Sequence, residues 1–305
     1  MLKRIVYLIA LFICISCVKT ANTYDYTSLT PKHLPKETPG LILVGSSAET
    51  DIHSHQFGGI DTLSSLGNVS IMSFYMSKHE ITNNQFCYFL NQDSIRTNPA
   101  LLKSIIDLNN IHGRIRLKDG MYAPISGYAN YPVVLVSWWG AKIYCKWLTE
   151  DVNKKRAEKD LYRLPNYRLP AEYEWICATS TKAKISYFIE TMCDSIALHY
   201  EFPIHAHDVK EDTLNMYGAT GMNENVYEWT EDNFEAIESI MDYSMVAYYN
   251  DTITADAVVR KHGLIYNKQK ENTCGRMSRT RTGFYGDTGF RIVQTYLGRS
   301  TGAEF

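Results

Sequence analysis

The stretch YRLPAEYEW, residues 167–175, joins an extended segment to the start of a helix, and it sets the interpretation of the rest of the chain. Arg168 lies directly before the helix, where its planar fork of donors can fix loop carbonyls. Glu172 and Glu174 fall in the first turn, where the positive helix end favours carboxylates. Trp175 follows on the inner side and is most simply a core aromatic. The stretch therefore predicts a short helix that charged side chains anchor to a loop.

Short helices and strands are predicted on both sides of this stretch. Residues 40–45 and 71–76 are dense in apolar side chains and are expected to be strands. Thr82 and Ser137 are predicted N-caps of two helices, and Pro170 suits the first turn of the helix in YRLPAEYEW. The helix after Ser137 has an apolar stripe at helical spacing: Trp138, Ala141, Cys145 and Leu148. These patterns predict an α+β domain with short helices, small antiparallel sheets and little regular secondary structure.

The charge and composition of the chain bear on which kinds of molecule it binds. The chain has 305 residues and a formal net charge of −2, with 31 Lys plus Arg against 33 Asp plus Glu. Near-neutral charge without a long basic block argues against nucleic-acid binding. The 22 tyrosines suit irregular cores and recognition surfaces equally well, so composition does not choose between these uses.

The N-terminal segment predicts the compartment. Lys3 and Arg4 precede an apolar run over residues 5–15, which is too short to span a bilayer. Ser16 then places a small residue before Cys17, which is the order of a signal peptide that ends at a lipid-modified cysteine. A plain secretory signal and an uncleaved anchor are the alternatives. The lipoprotein interpretation makes Cys17 the N-terminus of a lipid-anchored protein of the cell envelope, on the outer membrane of a Gram-negative bacterium.

The chain is expected to have four parts. Residues 1–17 are the signal peptide, and residues 18–38 are a tether rich in Thr, Pro and Lys. Residues 39–297 are one folded domain, because they contain no second linker and no internal repeat. Residues 298–305 are a tail.

Six segments, taken in order, resemble the formylglycine-generating enzyme superfamily, also called sulfatase-modifying-factor domains. The segments are FYMSKHEITN (74–83), YPVVLVSW (131–138), YCKW (144–147), YRLPAEYEW (167–175), GMNENVYEW (221–229) and GFRIV (289–293). The resemblance covers residues 40–294. It implies the fold of that superfamily, which has a C-type-lectin-like core.

The resemblance also implies a calcium site in the loop of GMNENVYEW. In the family, a similar loop binds calcium through backbone carbonyls and one Glu carboxylate. Carried over, Asn223, Glu224 and Val226 would offer carbonyls and Glu228 its carboxylate, and such oxygen ligands suit a hard cation. Glu224 stands where the family has Gly, which alters the tight turn. A loop held only by hydrogen bonds is the alternative.

The family's catalytic chemistry is not expected here, because its soft ligands are missing. The family's enzymes oxidise a sulfatase cysteine to formylglycine with oxygen, using two cysteines that bind copper(I). In this chain the two positions are Tyr266 and Glu271, and the one thiol nearby is Cys274. Cys145 and Cys177 fall on apolar helix faces and are expected in the core. We therefore expect no copper, and only Cys274 is left as a weak catalytic candidate.

Other motif residues are predicted to be structural. Arg276 and Arg279 resemble the family's arginines that precede GFR, and we expect them to hold the final strand. The rest of the structural set is Arg168, Glu172, Trp175, Trp229 and Arg291.

Histidine pairs give a weaker signal. His205 and His207 would share one face of an extended segment and could bind a metal, and His53 with His55 repeats the spacing. Solvated loop histidines are the more frequent explanation of a lone HxH. The sequence contains no GxSxG, P-loop or HExxH motif, so hydrolase and nucleotide-binding functions lack support.

Three functions follow from these observations, in order of preference. The first is a non-catalytic envelope lipoprotein that binds a protein partner, in character similar to the gliding-motility and type IX secretion lipoproteins. The second is an oxidoreductase, either of the sulfatase-modifying type or of altered chemistry that uses Cys274. The third is a calcium-dependent, lectin-like module that binds a glycan through exposed tyrosines.

Overall fold

The computed structural model describes residues 40–44, 55–56, 68–69, 72–179, 206–222, 225–234, 256–261, 265–267, 270–272 and 276–296. The predicted signal peptide with Cys17, the tether and the tail lie outside these residues. Within the described ranges, no helix combines the length and the hydropathy that a bilayer span requires.

The regular elements are short. The strands are β1 Leu41–Val44, β2 His55–Gln56, β3 Asn68–Val69, β4 Phe74–Ser77, β5 Ile115–Lys118, β6 Met121–Pro124, β7 Tyr167–Arg168, β8 Tyr227–Asn233, β9 Ala257–Arg260, β10 Ile265–Asn267, β11 Lys270–Asn272, β12 Arg276–Arg279, β13 Thr288–Gly289 and β14 Val293–Thr295. The helices are α1 Asn83–Leu90, α2 Asp93–Arg96, α3 Pro99–Ile105, α4 Trp138–Ala157 and α5 Glu172–Thr179. This architecture confirms the predicted α+β class with short helices and small sheets.

Two four-stranded sheets carry most of the motif segments. The first has the order β1-β4-β14-β7, and all of its neighbours are antiparallel. The second has the order β12-β9-β8-β13, in which only β8 and β13 run parallel. Since β13 belongs to one sheet and β14 to the other, the GFR segment is a short covalent link between them.

Two predicted helix starts are confirmed. Thr82 Oγ1 accepts from the Gln85 N–H at 3.3 Å, and Gln85 Oε1 accepts from the Thr82 N–H at 2.9 Å, which forms a capping box at α1. Ser137 Oγ accepts from the Gly140 N–H at 2.9 Å at the start of α4. The predicted stripe on α4 is buried: Trp138, Ala141, Cys145 and Leu148.

Two predicted boundaries are wrong. Pro170 was expected in the first turn of a helix, but α5 begins at Glu172. The Pro170 carbonyl accepts from the Glu231 N–H of β8 at 2.8 Å, and this tertiary bond keeps the segment extended. The strand predicted over residues 71–76 is β4, which begins at Phe74 and ends at Ser77. β4 continues past the apolar run because it pairs with β1 and β14 on its two sides.

Aromatic rings fill the larger core. Phe86 and Phe89 of α1 lie with ring centroids 5.7 and 5.4 Å from that of Tyr144 on α4. Phe290 of GFR lies 5.4 Å from Tyr144 in an edge-to-face arrangement. Trp175, predicted as a core aromatic, is fully buried, as are Trp138 and Trp229. GFR thus anchors the junction of the sheets to the helices.

Candidate functional site

A buried ion pair joins three motif segments at the centre of the molecule. Arg291 donates from Nε to Glu228 Oε2 at 2.6 Å and from Nη2 to Glu228 Oε1 at 2.7 Å. Trp175 Nε1 donates to Glu228 Oε2 at 2.7 Å. Neither charged side chain is exposed to solvent. Because breaking a buried pair leaves an uncompensated charge, these contacts fix the GFR, EYEW and VYEW segments relative to one another.

A second buried carboxylate lies beside this pair. Glu80 is fully buried, its Oε2 is 3.9 Å from Arg291 Nη2, and neither oxygen accepts a hydrogen bond from a described residue. Burial raises the pKa of Glu80 to about 8; Arg291 opposes this rise, and the charge of Glu228 adds to it. Glu80 is therefore mostly protonated at pH 7. The sequence places Glu80 in a motif, but no local pattern indicates that it is an uncharged acid.

Gly221 makes room for the Glu80 carboxyl group. Its φ of +72° lies in the left-handed region, and a Cβ there would lie 2.4 Å from both Glu80 oxygens. The carbonyl of the preceding residue, Thr220, accepts from Arg291 Nη2 at 3.0 Å. The glycine that opens GMNENVYEW is thus required by the packing around Arg291 and Glu80.

The predicted calcium loop is described only in part. Asn223 and Glu224 lie outside the described residues, and Val226 is buried. Among the residues that the structure describes, no group of three or more His, Cys, Asp and Glu side chains is placed to hold a metal ion.

The described side of this loop already faces two cations. Both carboxylate oxygens of Glu228 accept hydrogen bonds from Arg291, and the Asn225 carbonyl accepts from Lys261 Nζ at 2.8 Å. A divalent cation next to a guanidinium and an ammonium would be repelled. Calcium binding at this loop stays a prediction, because the proposed ligands Asn223 and Glu224 lie outside the described residues.

The two positions at which the family's spacing predicts copper ligands are opposite each other in a hairpin. Tyr266 of β10 and Glu271 of β11 are directly paired in the antiparallel register. Their functional groups are hard oxygens, whereas copper(I) requires soft thiolates. Cys274 lies outside the described residues. The described hairpin thus pairs a Tyr with a Glu at the two positions that the family's spacing indicates.

The cysteines that the structure describes are core residues: Cys87, Cys145 and Cys177. Burial raises the pKa of Cys87 and of Cys177 to about 12, and it raises the pKa of Cys145 as well. Because the thiolate is the reactive and metal-binding form, these thiols are inert near neutral pH. The expectation that Cys145 and Cys177 are buried is confirmed.

Arg168 has a carboxylate as its main partner. Its Nη1 and Nη2 donate to the two Glu174 oxygens at 2.6 and 2.7 Å, and Nη1 also donates to the Leu169 carbonyl at 3.2 Å. Glu174 accepts in addition from the Ala171 N–H at 2.8 Å, which caps the start of α5. Arg168 therefore acts mainly through the bidentate pair, and it fixes one loop carbonyl of the kind that was expected.

Glu172 contacts Asp232, an acidic residue that no sequence pattern indicated. Its Oε1 lies 3.3 Å from Arg260 Nη1, and its N–H donates to Asp232 Oδ2 at 2.5 Å. Burial raises the pKa of Asp232 to about 7, and the charge of Glu172 adds to this rise. A single aspartate in a polar strand carries no periodic signal, so only the tertiary structure identifies it.

The remaining predicted residues lie apart from this centre. Arg279 donates to both Asp287 oxygens, at 2.5 and 2.9 Å, directly before β13. The backbone of Arg276 pairs with Arg260 in β9, while its side chain lies outside the described residues.

The HxH pair is described only through its second histidine. His207 Nε2 contacts Asp212 Oδ1, and the His207 N–H donates to Asn225 Oδ1 at 3.1 Å. His205 and His53 lie outside the described residues.

A model of the "Sulfatase-modifying factor enzyme 1-like domain" family matches residues 30–296 of the chain. The match begins inside the predicted tether and covers the six motif segments.

Three curated relatives have low sequence identity to the chain. The chain is 29% identical over 165 residues to the serine/threonine-protein kinase pkn1 of Chlamydia caviae. It is 28% identical over 171 residues to Pkn1 of Chlamydia trachomatis. Each alignment covers 54% of this chain but only 23% and 24% of the relatives, so the chain spans about a quarter of their length.

A solved structure shares the architecture. PvdO from Pseudomonas aeruginosa matches 86% of this chain and 96% of its own, with a TM-score of 0.53 and 17% identity. At this identity the similarity shows the fold alone.

Proposed function

The chain belongs to the sulfatase-modifying factor enzyme 1-like domain family, and we propose that it is a non-catalytic member, a lipid-anchored envelope protein that binds another protein. The observation that supports the proposal is that Tyr266 and Glu271, which the family's spacing puts at the copper-ligand positions, are paired in the hairpin register. Oxidation of a substrate cysteine at a copper(I) site requires two soft ligands close together, and Cys274 supplies one thiol at most. The described cysteines cannot replace them, because they are buried in the core.

The placement in the envelope rests on the N-terminal sequence. Cys17 follows a charged start, a short apolar run and a small residue, and lipidation there would tether the domain through residues 18–38 to the outer membrane. The segments EITNN (80–84) and WLTEDVN (147–153) resemble gliding-motility and type IX secretion lipoproteins, which supports a scaffold role in an assembly of that kind.

Copper titration separates this proposal from the oxidoreductase alternative. The full chain and its Cys274→Ser variant are titrated anaerobically with copper(I) against a competing chelator. We expect no stoichiometric tight binding by either protein. Tight binding by the wild type that disappears in Cys274→Ser would replace the proposal with the oxidoreductase function.

Partner capture tests the binding role. The full chain is crosslinked in intact cells and purified from solubilised envelopes, with Cys17→Ser as the control that should leave the membrane fraction. We expect a defined envelope protein at near-stoichiometric yield with the wild type. Recovery of the chain alone, from an envelope fraction in which it is abundant, would contradict a protein-binding role.

A further inference from the structure

The β5–β6 hairpin has one closed edge and one open edge. β5 and β6 pair antiparallel, with Leu117 opposite Tyr122, and they form a sheet of their own within the described residues. On β6, Asn91 closes the outer edge: its Nδ2 donates to the Tyr122 carbonyl at 2.8 Å, and its Oδ1 accepts from the Tyr122 N–H at 2.7 Å. An amide side chain therefore takes the place of a neighbouring strand on that side.

The register shows what β5 presents on its other edge. The Arg114 carbonyl accepts from the Ile125 N–H at 2.8 Å, so this opposed pair is hydrogen-bonded. Hydrogen-bonded and non-hydrogen-bonded pairs alternate along an antiparallel ladder. The N–H and C=O groups of Ile115 and Leu117 therefore point away from β6. The Ile115 carbonyl already has a partner, because it accepts from Arg116 Nη1 at 2.8 Å. Leu117 is 62% exposed, and no described strand lies beside it.

The side chains of this edge are basic and apolar. Within β5, Arg116 and Lys118 alternate with Ile115 and Leu117, so the two basic residues share one face of the strand. Arg114 directly precedes the strand. Arg116 and Lys118 are exposed, and Met121, opposite Lys118, is 46% exposed.

Charge decides which strand can pair here. A second copy of β5 would place like charges opposite one another, which is destabilising, and basic residues are a known protection of edge strands against self-association. A strand with carboxylates on the matching face would instead form opposite-charge pairs with Arg116 and Lys118. An apolar residue between the carboxylates would meet Leu117.

We infer that the outer edge of β5 binds an extended acidic segment of a partner protein, in which acidic and apolar residues alternate, by strand addition. This inference rests on the proposed protein-binding function and names the partner's chemistry. Main-chain hydrogen bonds to Leu117 give affinity, and pairing with Arg116 and Lys118 selects the acidic segment.

The test uses the full chain and two peptide probes, acetyl-Glu-Val-Glu-Val-Glu-amide and the matching Lys-Val peptide. Binding is followed by anisotropy and by hydrogen exchange of the Leu117 amide. We expect the acidic peptide to bind, to slow exchange at Leu117 by about tenfold or more, and to weaken with salt. The basic peptide should not bind.

Three variants sharpen the test. Leu117→Pro removes an outward donor without removing a bond to β6, and it should abolish acidic-peptide binding. Arg116→Glu/Lys118→Glu should weaken acidic-peptide binding by about tenfold or more and should create binding of the basic peptide. Lys146→Glu/Lys154→Glu makes the same change of net charge on exposed positions of α4 and should leave binding unchanged.

The outcomes separate this inference from the proposed function. No binding of the acidic peptide, or equal binding by the wild type and Leu117→Pro, would overturn the edge as the binding site. If envelope capture then still succeeds with Arg116→Glu/Lys118→Glu, the protein-binding function stands and another surface carries it. If wild-type capture fails too, the proposed function itself is wrong.

Discussion

The substitution Glu80→Gln separates the charge of this side chain from its shape. Gln has nearly the same size and stays neutral at every pH. Glu80 has a pKa of about 8 in the folded protein, compared with 4.5 for an ordinary Glu, because burial raises it. A carboxyl group whose pKa rises on folding binds more protons in the folded state than in the unfolded state. Its contribution to stability is therefore complete below pH 4.5 and is lost as the pH rises through 8.

The size of this loss follows from the two pKa values. One pKa unit corresponds to about 1.4 kcal/mol. The free energy of unfolding of the wild type, measured relative to Glu80→Gln, should fall by about 2.5 kcal/mol between pH 5 and pH 7. Well above pH 8 the difference between the two proteins should become constant, since Glu80 is then ionised in both states.

Urea unfolding followed by tryptophan fluorescence measures this difference. The wild type, Glu80→Gln and a control, Glu150→Gln, are unfolded at a series of pH values from 5 to 9. Glu150 lies exposed on α4, so its variant should follow the wild-type curve. Subtracting the Glu80→Gln curve removes the contributions of other titrating groups. A difference that does not change with pH would refute a neutral, buried Glu80.

Further substitutions test the same centre. Arg291→Met leaves Glu228 without its counter-charge and should lower the free energy of unfolding in urea at pH 7 by about 3–5 kcal/mol. The double variant Arg291→Met/Glu228→Gln should regain most of this stability. A double variant no more stable than Arg291→Met would contradict the pairing. Gly221→Ala should cost about 1–2 kcal/mol from its left-handed φ, and more from contact with Glu80. In the double variant Gly221→Ala/Glu80→Ala the smaller side chain should relieve this contact. If the stability losses of the two single variants in thermal unfolding simply added up in the double variant, the contact between positions 221 and 80 would be contradicted. Trp175→Phe keeps an aromatic ring, although a smaller one, and removes the donor to Glu228. We expect the lost hydrogen bond to cost about 1–3 kcal/mol in the same unfolding assay. An unchanged stability would show that this hydrogen bond contributes nothing.

Local signals in the sequence predicted the helix starts and the fold class. Thr82 and Ser137 were identified as N-caps because capping depends on residues a few positions apart. The apolar stripe on α4 was predictable for the same reason, since its period is local. Pro170 was misplaced because its conformation depends on a hydrogen bond from Glu231 in β8, far along the chain.

The chemistry of the buried centre was not predictable in this way. Motif order indicated that the segments with Glu80, Glu228 and Arg291 matter, but these residues come from distant parts of the chain. Their distances, and the protonation of Glu80, depend on how the two sheets are joined. The missing copper thiolates could be counted from the sequence, whereas the direct pairing of Tyr266 with Glu271 required the hairpin register.

Formation of formylglycine is the reaction of the sulfatase-modifying enzymes that the six motif segments resemble. The full chain is co-expressed with a peptide that carries a sulfatase cysteine motif, and the aldehyde is detected by hydrazide labelling and mass spectrometry. An active family enzyme in the same host is the positive control. Because Tyr266 and Glu271 stand where the family's spacing predicts the two thiolates, we predict that the peptide cysteine stays unoxidised. Aldehyde that depends on this chain, and that is lost in Cys274→Ser, would contradict a non-catalytic function.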